Sequence, residues 1–345
     1  MKRRFLWYDL VALVLLLFGS FLIIGAHFFV QGPVYDTRYP GQVMKPFGTA
    51  LYPLHVDGWN HLSQTKQLIE EKGYIGLNPQ LGTEEGYTSY EKGYHVFLAL
   101  VLLVTGISLT QLALVVPPLV FFLGAFTLYL FFSRALLKPV AGLFSIAGLS
   151  VLTNDIHVLG FWFLVPLNFS LLFISLTLVT LFLTPKTYRW YFSGFLFFLS
   201  LFIYPLVSVF LLLFNGLFFF FEYKKEIIHF LKRLTHYQKV ILWIGISFLF
   251  LLAIGVVRRF LIFPENWVVF NGFYSLFSLI WWPLIPFAGV GLFFLYKNYG
   301  DLFFSFLLIM MFTFFNALVF SLHQIGILIP YQRMLYFAEL FLVIL

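Results

Sequence analysis

Apolar residues gather in runs along almost the whole chain, parted by short polar or turn-forming stretches. The runs fall near 8–30, 112–132, 139–153, 159–184, 191–221, 240–262, 278–296, 302–322 and 334–345. A helix needs about 20 apolar residues to cross the hydrocarbon core of a bilayer. Their recurrence predicts an all-α, polytopic transmembrane helical bundle. The run 191–221 is too long for one span. It contains "SLFIYPLVSV", where Pro205 removes a backbone donor and favours a break. Two short helices turning near Tyr204–Pro205 fit this pattern, and so does one long kinked helix.

One polar region breaks the series. Residues 31–110 read as a large first loop that carries surface helices, after a first span within 1–30 and before a bundle over 111–345. Inside the loop, "LYPLHVDGWNHLSQTKQLIEEKG" (51–73) predicts a helix from about Asp57 to Lys72. Gly73 suits the position just past its end. Asp57 and His61 are four residues apart and project from one face, with Asn60 and Gln64 beside them. Trp59, Leu62 and Ile69 mark another face suited to resting on the membrane surface. The segment 93–107, "GYHVFLALVLLVTGI", falls short of a full span. Whether it crosses sets the sidedness of everything downstream.

Composition agrees with the pattern. Of 345 residues, 61% are hydrophobic and only 10% charged, too little charge for a soluble exterior. With no cysteine, disulfides, thiolate metal sites and cysteine nucleophiles are excluded. The net charge of +7 sits in loops of the kind that orient membrane proteins and is not a nucleic-acid signal. The first run, about Val11 to Val30, is too long for the core of a cleaved signal peptide and reads as a retained signal anchor. After Arg333 only "MLYFAELFLVIL" remains, too short for a span. A short final helix is one reading; a truncated chain with an incomplete last span is the one favoured.

Charge settles a topology. If 93–107 stays on the outer surface, Lys2, Arg3, Arg4, Arg134, Lys138, Lys186, Arg189, Lys224, Lys225, Lys232, Arg233, Lys239 and Lys297 all fall inside. These are most of the 21 Lys and Arg. The basic loop "EYKKEIIHFLKRLTHYQK" (222–239) carries the strongest vote. The N-terminus is then cytoplasmic and 31–110 external. Asp155 and His157 in "TNDIHVLG", Arg258, Arg259 and Arg333 join Asp57 on the outer side.

Each of these residues has two readings. An Asp at a helix start caps free N–H groups; it also accepts a proton from an attacking hydroxyl or binds a divalent cation. His55 and His61 are metal-ligand candidates or idle surface histidines. Arg258, Arg259 and Arg333 either snorkel to headgroups or clamp a phosphate through planar guanidinium groups.

These features together resemble the GT-C superfamily of membrane glycosyltransferases, which includes the oligosaccharyltransferase catalytic subunit, protein mannosyltransferases and the lipid A aminoarabinose transferase. "HVDGWNHLSQTKQLIEEKGYI" resembles the loop that opens on the family's catalytic Asp, and the resemblance implies Asp57 as base or metal-binding carboxylate. "SYEKGYHVFLALVLLVTGIS" resembles the segment whose Lys contacts lipid phosphate, which implies that role for Lys92. Gly93 and Tyr94 stand where the family has two prolines. "NDIHV" resembles the second acidic motif, with one carboxylate where oligosaccharyltransferases have two or a following His pair. Asp57, Asp155 and His157 are the implied metal ligands, and the cofactor is unknown beyond a divalent cation such as Mg2+ or Mn2+. The implied partners are a polyprenyl-phosphate-linked sugar, the bilayer, and an acceptor lipid, glycan or protein, with no nucleic acid. Two other classes fit the same spans: a flippase or transporter of lipid-linked saccharides, and a non-catalytic membrane subunit. Transporters tend to show internal repeats, and none is evident here.

Overall fold

The computed structural model describes residues 2–29, 56–72, 91–152, 161, 163–245, 247, 262–264, 284–323, 325–327 and 331–345. They fall into two compact units, Met1–Ser208 and Val209–Leu345. Among the described residues, five helical segments are long and apolar enough to cross a membrane: Trp7–Gly25, Leu109–Ala135, Pro166–Leu183, Pro205–Glu222 and Gly300–Phe320. The chain is a helical integral membrane protein. The helix α1 (Lys2–Phe29) shows how such a span is divided. Trp7, Leu10, Val14, Leu17 and Phe21 form an exposed apolar stripe, whereas Ala12, Leu16 and Ile23 are buried in the unit. In water that stripe would be a liability; in a bilayer it is the lipid face.

The first unit continues with α2 (Val56–Glu70), α3 (Lys92–Thr105), α4 (Leu109–Leu130), α5 (Pro139–Ser150), α6 (Phe169–Leu183) and α7 (Lys186–Ile203). The segment that decides topology, 93–107, is a helix of 14 residues, α3. That is about 21 Å of rise against a core of about 30 Å. Gly106 ends it in the left-handed region at φ 69°, and its N–H reaches the carbonyl of Leu102 at 2.9 Å. Ser108 then starts α4 with a capping box. Its hydroxyl accepts from the Gln111 N–H (3.3 Å), and the Gln111 side chain accepts from the Ser108 N–H (2.7 Å). A Gly stop followed by a Ser start makes α3 a separate short helix. The α4 helix runs unbroken through Pro117 and Pro118 and continues as a π-helical turn over Phe131–Ala135.

Ring and ion contacts fix which helix ends meet. Asp9 on α1 accepts from the Tyr129 hydroxyl and from Arg134, both at 2.7 Å. Phe131 packs on Phe182 with ring centres 5.4 Å apart, so α4 and α6 finish together. The N-terminus of α1, the C-termini of α4 and α6 and the N-termini of α5 and α7 therefore share one end of the unit. That end carries Arg134, Lys138, Lys186 and Arg189. At the other end, Tyr94 and Phe97 of α3 pack on Phe169, at the start of α6, with ring centres 5.8 and 5.1 Å apart. Gly93 lies against the C-terminal end of α7, where a Cβ would run into the carbonyl of Phe202. The helices of the polar loop sit at the end of the unit away from the basic residues.

The long run 191–221 is broken at Tyr204, which leaves helical geometry at φ −148° and ψ 90°. Pro205 opens α8 (Pro205–Glu222), which carries the chain into the second unit. There follow α9 (Lys224–Arg233), a helical stretch over 236–245, α10 (Leu284–Asn298), α11 (Gly300–His323) and α12 (Tyr331–Ile344). The one departure from an all-helical chain among the described residues is an antiparallel pair, β1 (Ile262–Pro264) with β2 (Ile325–Ile327), in register Ile262 to Ile327. The α12 helix is buried from Met334 through Ile344. Its Phe337 meets Phe210 of α8 at 4.1 Å, and its Phe341 meets Phe306 of α11 at 6.2 Å. Phe221 and Phe304 stack at 5.4 Å, so the C-terminus of α8 lies by the N-terminus of α11. This unit also has a basic end, holding Lys224, Lys225 and Lys297, and Arg333 begins α12 at the opposite end.

Candidate functional site

The described residues with the densest buried chemistry lie where α2 crosses α3. On α2, Gly58, His61, Leu62 and Thr65 recur at helical spacing and are buried, with Gln64 beside them. On α3, Glu91, Gly93, Tyr94, His95, Leu98 and Ala99 are buried in turn. The sequence pattern suggested that Leu62 and Ile69 rest on the membrane surface, and it left His61 as a metal-ligand candidate or an idle surface histidine. Instead Leu62 and His61 both turn inward and Ile69 is half-buried, because α3 offers His61 polar partners that make its burial affordable.

His61 is the centre of the cluster. Its Nδ1 lies 3.0 Å from Nε2 of His95, a hydrogen bond whose direction depends on tautomer. Its Nε2 lies 3.9 Å from Oε2 of Glu91. The Tyr94 ring meets the His61 ring edge-on at 5.1 Å. The Thr65 hydroxyl donates to the His61 carbonyl at 2.7 Å, and Gln64 donates to Asn60 at 3.0 Å. Burial pulls His95 down to about 4, so it is neutral at neutral pH. Burial, and then the charge of Glu91, raise Tyr94, which keeps its proton. The Tyr94 hydroxyl and Gln64 Oε1 are buried without a hydrogen-bond partner among the described residues. They are polar atoms that water or a bound group would satisfy.

Asp57 is the second residue of α2, one helical turn before His61; its side chain lies outside the described residues. Lys92 opens α3 next to Glu91 and is exposed. The crossing of α2 and α3 thus carries the elements of both residues at one end of the unit. Arg333 is half-buried in the first turn of α12, in the second unit. The β1–β2 pair joins the chain shortly after Arg259 to the chain shortly before Arg333. His55, Asp155, His157, Arg258 and Arg259 lie outside the described residues, and with them most of the metal set Asp57, Asp155 and His157. Among the described residues no three His, Asp or Glu are arranged to hold a metal.

Sequence reasoning passed over Glu91, Tyr94 and His95, although "EKGYH" shows an acid, an aromatic and a histidine at i, i+3 and i+4 on one helix face. It also passed over Glu339, a carboxylate fully buried within α12. The signal there was a single acid inside an apolar run. Comparison with protein-family models, curated proteins and solved structures finds no match to this chain.

Proposed function

We propose that this membrane protein is a glycosyltransferase of the GT-C kind. It moves a sugar from a polyprenyl-phosphate-type lipid to an acceptor hydroxyl or amide at the outer membrane face, with its N-terminus in the cytoplasm. The observation that carries this reading is the α2–α3 crossing. An Asp in the first turn of one helix and a Lys in the first turn of the next are held at one end of a span bundle by a buried polar cluster. The opposite end of that bundle carries the basic residues that mark a cytoplasmic face.

The chemistry asks little more of these two residues. Asp57 takes the proton of the acceptor as its oxygen or nitrogen bonds to the anomeric carbon. The bond from that carbon to the phosphate oxygen breaks, and its electron pair leaves on the phosphate, whose charge Lys92 meets. The His61–His95 bond and Glu91 hold α2 and α3 together, so the first turns of both helices are kept at one end of the unit.

The test is the full chain reconstituted in liposomes with a radiolabelled polyprenyl-phosphate-linked sugar and membrane extract as acceptor. A new labelled glycosidic product that is lost in Asp57→Asn at unchanged expression supports the proposal. Labelled lipid crossing the bilayer with no new product would replace it with the transport reading.

A further inference from the structure

The helix α9 follows the span α8 directly. It reads "KKEIIHFLKR", and none of its residues is buried. On a helical projection Ile227, Ile228, Phe230 and Leu231 share one side, with Lys224 among them at the helix start, and Lys225, Glu226, His229, Lys232 and Arg233 share the other. The apolar side is open: Ile228, Phe230 and Leu231 are 41, 59 and 39% exposed.

What covers this face follows from where α9 begins. It starts one residue after α8, a candidate span of 18 residues. Those residues rise about 27 Å and so use nearly the whole hydrocarbon thickness. Phe219, Phe220, Phe221 and Tyr223 close α8 as an aromatic band of the kind found at membrane interfaces. Tyr223 still shares the helical ladder, accepting from Ile227 N–H at 2.9 Å, so α9 cannot travel far from that depth. An amphipathic helix at headgroup depth, basic on its polar side, fits the surface of a leaflet rich in anionic lipid.

We propose that α9 is a membrane-surface helix. It buries Ile227, Ile228, Phe230 and Leu231 among acyl chains and binds anionic phospholipid headgroups through Lys225, Lys232 and Arg233. It anchors the basic end of the second unit to one leaflet. This inference does not depend on the glycosyltransferase reading.

The chain has no cysteine, so a single nitroxide label reports cleanly. Leu231→Cys and His229→Cys would be labelled separately in the full chain, reconstituted in phosphatidylcholine–phosphatidylglycerol vesicles. The expected result is that the label at 231 is relaxed by oxygen and shielded from a water-soluble nickel complex, with the reverse at 229. Neutralising Lys225, Lys232 and Arg233 to Gln weakens the surface-bound population by roughly fivefold per charge. Added salt acts in the same direction. Equal nickel access at both sites, or shielding at 231 from oxygen as well as nickel, overturns the proposal, the second because protein then covers the face. Shielding that is the same in pure phosphatidylcholine overturns the anionic-lipid assignment.

Discussion

The pair α2–α3 and the helix α9 are both short helices outside the spans, and both mix histidine, charge and apolar residues. Their outcomes are opposite. At the α2–α3 crossing the polar groups turn inward, and His61 sits between His95 and Glu91. In α9 the polar and apolar sides both stay open. A helical period fixes which residues share a side; a partner helix fixes whether that side is buried. Gly93 makes the difference concrete, because without it α3 could not seat against α7.

The comparison breaks most severely at that glycine. Gly93→Leu drives a side chain into the Phe202 backbone, where no flexible atom can give way. It should destabilise the first unit by about 3 kcal/mol or more, read as loss of monodisperse protein on size exclusion. His95→Leu comes next, leaving His61 Nδ1 without its 3.0 Å partner. We expect a loss of about 1–3 kcal/mol. The double variant His61→Leu, His95→Leu should lose less than the sum of the two single changes, which a thermal-unfolding cycle would show.

Acid should open the same pair. Burial lowers His95 from 6.5 to about 4, so between those values the opened state binds the proton that the folded state refuses. Stability contributed by neutral His95 is present above about 6.5 and is lost as pH falls toward about 4. Between pH 7 and pH 5 this amounts to about 2 kcal/mol. Hydrogen exchange along α2 should quicken accordingly, and His95→Gln should flatten the dependence. The smallest effect belongs to α9, where Lys225→Gln in detergent should shift stability by less than about 0.5 kcal/mol.

Much of the fold could be read from the chain. The spans at α1, α4, α6 and α11 follow apolar runs directly, and Pro205 announces the break before α8. Charge bookkeeping also predicted that Arg134 and the N-terminus share a side, and the Asp9–Arg134 ion pair joins them. Two features were harder to read. The run 139–153 looks like a span, yet α5 is a helix of 12 residues, about 18 Å long. Likewise, His61 looked idle because its partners lie 30 and more residues away, at 91 and 95. A polar residue's fate depends on what meets it, and no local pattern carries that.

The proposal's central claim is that, within the first unit, the α2–α3 crossing and the basic end face opposite sides of the membrane. Lys66 is exposed on α2 and Lys138 at the basic end of the same unit, and the natural chain has no cysteine to interfere. Lys66→Cys and Lys138→Cys should be treated separately in intact cells with a membrane-impermeant maleimide. The proposal predicts rapid labelling at 66, and labelling at 138 only after the membrane is permeabilised. Labelling of both from outside, or of 138 alone, would contradict it.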